Sequence, residues 1–269
     1  YGGKVGIGYF YPVASILIIF SALKEGLKAL LMLFLLRKVN TNKLFFGFYE
    51  KVSLKKLAKR YRDFPLFRAP QVFLNAISQS LPVLMLTSFF GPAVAGFYSI
   101  GRTVLAIPST LIGKSVGDVF YPRISEAAHN GENLTKLIKK ATLSLGLVGI
   151  IPYSIVVIFG PWLFSFVFGS EWITAGEYAR WIALWMFFMF LNRPSVMALP
   201  VLSAQSFHLK FTVVTLSVRI ALLSLGYYVF SSDLVAIALF GVSGAVLNLW
   251  LIVLTIKKSR KFFNENLEE

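Results

Sequence analysis

Apolar residues in this chain come in runs long enough to cross a bilayer, and the polar residues that interrupt them fall at helical intervals. Windows of about 20 residues predict seven helical spans: 13–36, 66–90, 96–120, 142–159, 177–202, 211–230 and 234–256. In the second, Arg68, Gln71, Asn75, Gln79 and Pro82 follow steps of three and four, so one stripe of that helix is polar. In the third, Arg102, Ala106, Ser109, Gly113 and Gly117 form a stripe that is small apart from its arginine. Gly113 and Gly117 make a GxxxG spacing, which generally serves helix packing. A polar stripe beside a small one fits two helices lining a cavity. Pro82, Pro108, Pro152, Pro194 and Pro200 interrupt the runs and mark candidate kinks.

Composition agrees with this pattern. Of 269 residues, 57% are hydrophobic and 14% charged, against about 25% charged in soluble domains. The fold class is therefore an all-α integral membrane protein. With no Cys, disulfides and thiolate metal sites are excluded. His129 and His208 read as loop residues far apart, not a metal pair. No mid-membrane set of paired carboxylates or Ser with His suggests catalysis, and nothing calls for a cofactor.

The net charge of +15 would suggest nucleic acid in a soluble protein. Here the loops alternate instead. The basic side carries ten Lys and Arg between Arg37 and Arg68, then Arg123, Lys136, Lys139, Lys140, Lys210, Lys257, Lys258, Arg260 and Lys261. That is nineteen of 27, with only Lys4 and Arg180 opposite. The positive-inside rule makes the basic side cytoplasmic, so the C-terminus is inside, and nucleic acid is not expected as a partner. The segment 52–64 has Leu54, Leu57 and Tyr61 at helical spacing among basic residues, and is expected to lie on anionic inner-leaflet lipid. A weaker interfacial pattern runs over 121–140, and Trp162, Trp172 and Trp181 fall near the opposite interface.

Six basic residues remain inside spans: Lys24, Lys28, Arg102, Lys114, Arg193 and Arg219. Each costs roughly 2.5–3.5 kcal/mol at mid-bilayer, so each needs a reason. Lys114 has Asp118 at i,i+4, which predicts a structural pair near the cytoplasmic edge. Lys24 and Lys28 share a face, and Glu25 can pair with Lys28. Arg102, Arg193 and Arg219 have no acid within helical reach, which predicts a water-filled cavity. Cations and amides without acids suit holding an anion, most naturally a phosphate.

The string YRDFPLFRAPQVFLNAISQSLPVLMLTSFFGPAVAGFYSIGRTVLAIPSTLIGKSVGDVFYPRISEA, from Tyr61, resembles the seventh and eighth spans of bacterial oligosaccharide flippases of the polysaccharide-transporter type. These share a superfamily with multidrug and toxin extrusion antiporters and the lipid II flippase. A second patch, FGSEWITAGEYARWIALWMFFMFLNRPSVMALPVLSAQ (168–205), is similar to the same family. The resemblance implies two six-helix lobes around a cationic cavity. It also implies a polyprenyl-pyrophosphate-linked oligosaccharide as substrate, moved outward by alternating access. On that reading residues 1–36 hold the last helix of the first lobe, with five further spans ahead of it. Residues 37–65 are a basic inter-lobe linker, 66–257 the second six-helix lobe and 258–269 a cytoplasmic tail. Arg102 falls where the family often carries a base after its FYS motif.

The candidate substrate-binding set is Arg102, Arg193, Arg219, Lys24 and Lys28 for pyrophosphate, with Gln71, Asn75 and Gln79 for sugar or phosphate. Polysaccharide polymerase and chain-length machinery are the expected protein partners. Two alternatives fit less well. A cation or drug antiporter needs acids in the cavity, and a membrane polymerase needs a larger outer loop than 160–176.

Overall fold

The structure is a computed structural model, described for residues 64–265 and for helical positions 23, 26, 27 and 30–32. Lys24, Lys28, Glu25 and nearly all of the expected linker lie outside the described residues, as does the side chain of Lys114. The chain divides into two units after residue 60, and the second, Tyr61–Glu269, carries the helical bundle.

All regular structure among the described residues is helical. A π-helical turn, Phe64–Arg68, leads into α1 (Ala69–Phe90). Then come α2 (Pro92–His129), α3 (Leu134–Phe168), a 3-10 turn (Ser170–Trp172), α4 (Ile173–Leu191), α5 (Arg193–Val201), α6 (Gln205–Tyr228) and α7 (Asp233–Glu265). Among the described residues, five stretches are long and apolar enough to cross a membrane: Leu66–Phe90, Leu134–Phe168, Ser170–Val201, Gln205–Tyr228 and Asp233–Phe263. Helix α2 is the longest, at 38 residues, but the polar residues along it leave it outside that set.

Local chemistry sets the helix ends. A single residue, Gly91, joins α1 to α2 at φ 94°, a conformation that side chains with a Cβ resist. Pro92 then opens α2 where its missing N–H costs nothing. Asn133 caps α3 by accepting from the Lys136 N–H at 3.1 Å.

The single run expected over 177–202 is broken into α4 and α5 at Asn192. Pro194 has no N–H for the Phe190 carbonyl, which weakens the helix there, and its fixed φ suits the first turn of a new one. The stretch 121–140 is not a separate interfacial helix. It completes α2, turns, and starts α3, burying Ile124, Ala127, Leu134 and Ile138 in a core with Ala198 and Leu199.

Helix α4 is the pivot of the larger core. Ala175, Tyr178, Ala179, Ile182, Ala183, Trp185, Met186 and Phe190 are all buried, so the helix is apolar on nearly every side. It packs against α2, α3 and α7. Gly160 of α3 and Gly176 of α4 cross backbone to backbone, and a Cβ on Gly176 would lie 2.5 Å from the Gly160 oxygen. Pro161 cannot donate to the Val157 carbonyl, and Arg180 of α4 supplies the missing bond, its Nε donating to that oxygen at 2.7 Å. Tyr178 donates its hydroxyl hydrogen to Asp233 at the start of α7.

The bundle has chemically distinct ends. At the basic end, Thr135 and Ser259 share a buried 2.8 Å hydrogen bond between α3 and α7, and Lys258 lies over the Phe207 ring. There Arg123 clamps Glu132 with bonds of 3.0 and 2.6 Å across the α2–α3 turn. At the other end Phe89 stacks on Tyr227 at 4.5 Å, and Phe97 meets Trp172 edge-on.

Gly176→Val is expected to lower stability by about 2 kcal/mol or more, since backbone on both sides cannot retreat. Gly146→Ala, in open space on α3, is expected to be neutral or stabilising. Thermal unfolding in detergent compares the two. Hydrogen bonding to Arg123 holds the Glu132 carboxyl below its ordinary value. Its contribution is therefore present above the ordinary carboxylate range and lost as pH falls through the lowered value. Glu132→Gln should melt slightly below the wild type at pH 7 and level with it in strong acid.

Candidate functional site

The α1, α2 and α4–α7 walls enclose a cavity of about 450 Å³. Six of the eight candidate binding residues border it: Gln71, Asn75, Gln79, Arg102, Arg193 and Arg219. Lys24 and Lys28 lie outside the described residues. No Asp or Glu is among the described residues lining the cavity.

Each arginine is held differently. Arg102 projects from α2 to α1 and grips Gln79 twice, Nη1 on the backbone oxygen at 2.5 Å and Nη2 on Oε1 at 3.0 Å. Gln79 lies in the turn where Pro82 deprives the Ser78 carbonyl of its helical donor. The same pair also borders a second, more open cavity of about 560 Å³ along α1.

Arg193 opens α5 and donates from Nη2 to Ser109 Oγ at 3.3 Å. Its guanidinium rests where a Cβ on Gly113 would be, and Met197 one turn later rests on Gly117. The GxxxG of α2 therefore seats the short helix α5, and in doing so brings Arg193 to the cavity.

Arg219 of α6 is only 5% exposed. Its Cζ lies 4.4 Å from the Trp185 ring centroid and 4.6 Å from that of Phe240, two rings that meet edge to face at 5.2 Å, so the cation rests in the corner they form. Such contacts contribute about 2 kcal/mol when desolvated. Gly244 of α7 leaves room for the arrangement, because a Cβ there would meet both Trp185 and Arg219. Arg219 Nε, Trp185 Nε1 and Thr215 Oγ1 are buried without hydrogen-bond partners, and all three residues border the cavity. Unmet donors of this kind favour a ligand rich in acceptors.

Amides complete the wall. Asn192 Nδ2 donates to Asn248 Oδ1 at 3.0 Å, and Asn248 Nδ2 to the Gly244 carbonyl at 2.7 Å. Gln71 accepts from Arg68 Nη1 at 3.2 Å, and its Nε2 lies 3.5 Å from His208 Nε2. The expectation of a loop histidine is overturned here. His208 is a buried residue in the first turn of α6, bordering the cavity. His129 ends α2 and is exposed. Among the described residues no group of three His, Asp or Glu is placed to hold a metal.

His208, Asn192 and Asn248 do not stand out as binding residues in the sequence. Asn248 offers one signal, a lone amide inside a strongly apolar run. His208 offers none, since its partner Gln71 is 137 positions away.

A buried guanidinium without a carboxylate costs stability that a ligand would offset. Arg219→Met, close in volume, is expected to melt at or above the wild type while losing affinity for anions. Thermal unfolding with and without pyrophosphate measures both.

The family described as "Polysaccharide biosynthesis protein" matches residues 10–177, more than half of the chain. No curated protein and no solved structure matches the chain. The all-helical fold with five membrane-length apolar stretches accords with that match. The chain is a multi-pass membrane protein and belongs to the polysaccharide biosynthesis protein family.

Proposed function

We propose that the chain is part of a flippase that carries a polyprenyl-pyrophosphate-linked oligosaccharide across the cytoplasmic membrane for surface polysaccharide assembly. One observation carries this reading: three arginines and several amides face one cavity on whose described wall there is no carboxylate. Such a wall attracts a phosphate or pyrophosphate and repels a cation, so it disfavours a cation antiporter. The amides Asn75, Gln79, Asn192 and Asn248 suit sugar hydroxyls, which need both donors and acceptors.

Arg102 and Arg193 hold the diphosphate, and Arg219 supplies a fixed positive field from behind. Lys24 and Lys28 are proposed to add charge from the other lobe. The chemistry asked of these groups is binding and release, not bond cleavage, so this half of the protein works as a transporter and needs no cofactor. The basic end faces the cytoplasm, with the C-terminus inside, against anionic lipid and within reach of the polymerase and chain-length machinery. Alternating access needs the first lobe as the opposite wall.

In the full-length protein, Arg102→Ala should abolish complementation of a flippase-deficient strain while membrane insertion and expression persist. Arg102→Lys should restore part of it, since a point charge replaces a two-pronged donor. Wild-type surface polysaccharide from Arg102→Ala would overturn the assignment.

A further inference from the structure

At the end opposite the basic one, a groove of about 300 Å³ runs between α3, α4 and α7, lined by Val157, Glu177, Arg180, Trp181, Leu184 and Leu234. It has no residue in common with the arginine cavity. The groove walls are fixed. Gly160 and Gly176 lock α3 to α4, Tyr178 bonds Asp233, and Gly241 of α7 lies against the Trp181 carbonyl.

Two opposite charges border this groove, and no ion pair joins them, although i,i+3 spacing would allow one. The reason is visible at Arg180. Its Nε is committed to the Val157 carbonyl that Pro161 leaves without a donor, which pins the guanidinium against α3. Glu177, half-buried, has no basic partner among the described residues. The result is a separated cation and anion beside an indole and three aliphatic side chains.

A ligand that matches has an anion and a cation a few ångströms apart, attached to hydrocarbon. Positions three apart on a helix lie on one face, so a headgroup that carries a phosphate and an ammonium joined by two carbons can meet both side chains from the groove. We propose that this groove is a binding site for an amine-bearing zwitterionic phospholipid of the bilayer. Its phosphate lies on the free Nη groups of Arg180 and its ammonium donates to Glu177. Its acyl chain follows Val157, Leu184 and Leu234, with the Trp181 ring at the boundary between headgroup and hydrocarbon. The site is independent of the transport reading, because it shares no residue with that cavity.

The test is native mass spectrometry of the full-length protein released from mixed vesicles of phosphatidylethanolamine, phosphatidylcholine and phosphatidylglycerol in equal parts. Retained lipid should favour phosphatidylethanolamine over both others. Phosphatidylglycerol has no ammonium, and the methylated ammonium of phosphatidylcholine cannot donate a hydrogen bond. Glu177→Gln, isosteric, should cut the ethanolamine-over-glycerol ratio by at least about fivefold, the loss of one charge-assisted hydrogen bond. Equal retention of the three lipids by the wild type, or a ratio unchanged in Glu177→Gln, would overturn the proposal.

Discussion

Arg219 lies in the corner formed by the Trp185 and Phe240 rings, 5% exposed, with no carboxylate bonded to it among the described residues. Several helices of the bundle are arranged so that this can exist. The α4 helix supplies one ring and α7 the other, and the missing side chain of Gly244 leaves room for Trp185 and Arg219. Helix α6 packs against α7 and α1 and brings Arg219 to the pair. A charge held this way is stabilised by aromatic quadrupoles but not neutralised, so its field reaches the cavity.

Proline and glycine do the remaining positioning, and they act in pairs. Pro194 forces the break that turns Arg193 towards α2, and Gly113 provides its seat. Pro161 strips a donor from Val157, and Arg180 replaces it. Pro82 weakens the turn of α1 that Arg102 then grips. In the last two cases a helix is locally less able to satisfy itself, and an arginine from a neighbouring helix is bound there. Arginine suits this because one planar group can serve a carbonyl and still present free N–H groups elsewhere.

The polar stripe of α1 and the arginine of α2 were legible in the sequence, because a helix facing a cavity breaks hydrophobic periodicity every three or four residues. The spans around them were legible for the same reason. Their ends were not. Helices α2, α3 and α7 run well beyond their apolar runs, because a helix leaving a membrane keeps its backbone bonds after its side chains turn polar. The aromatic corner that holds Arg219 was hidden, since Trp185, Arg219 and Phe240 lie on three helices and nothing local links them. The histidine was hidden as well: a single His near a predicted helix start reads as surface until α1 is laid beside it.

On the proposed reading the cavity recognises the charged linkage of its ligand. Binding of three lipids by the full-length protein, polyprenyl pyrophosphate, polyprenyl monophosphate and the neutral polyprenol, measures this directly across a salt series. Affinity should fall in that order, and rising salt should weaken the two phosphates and leave the alcohol unchanged. Equal affinity for all three, insensitive to salt, would contradict an anion-binding cavity and with it the role given to the three arginines.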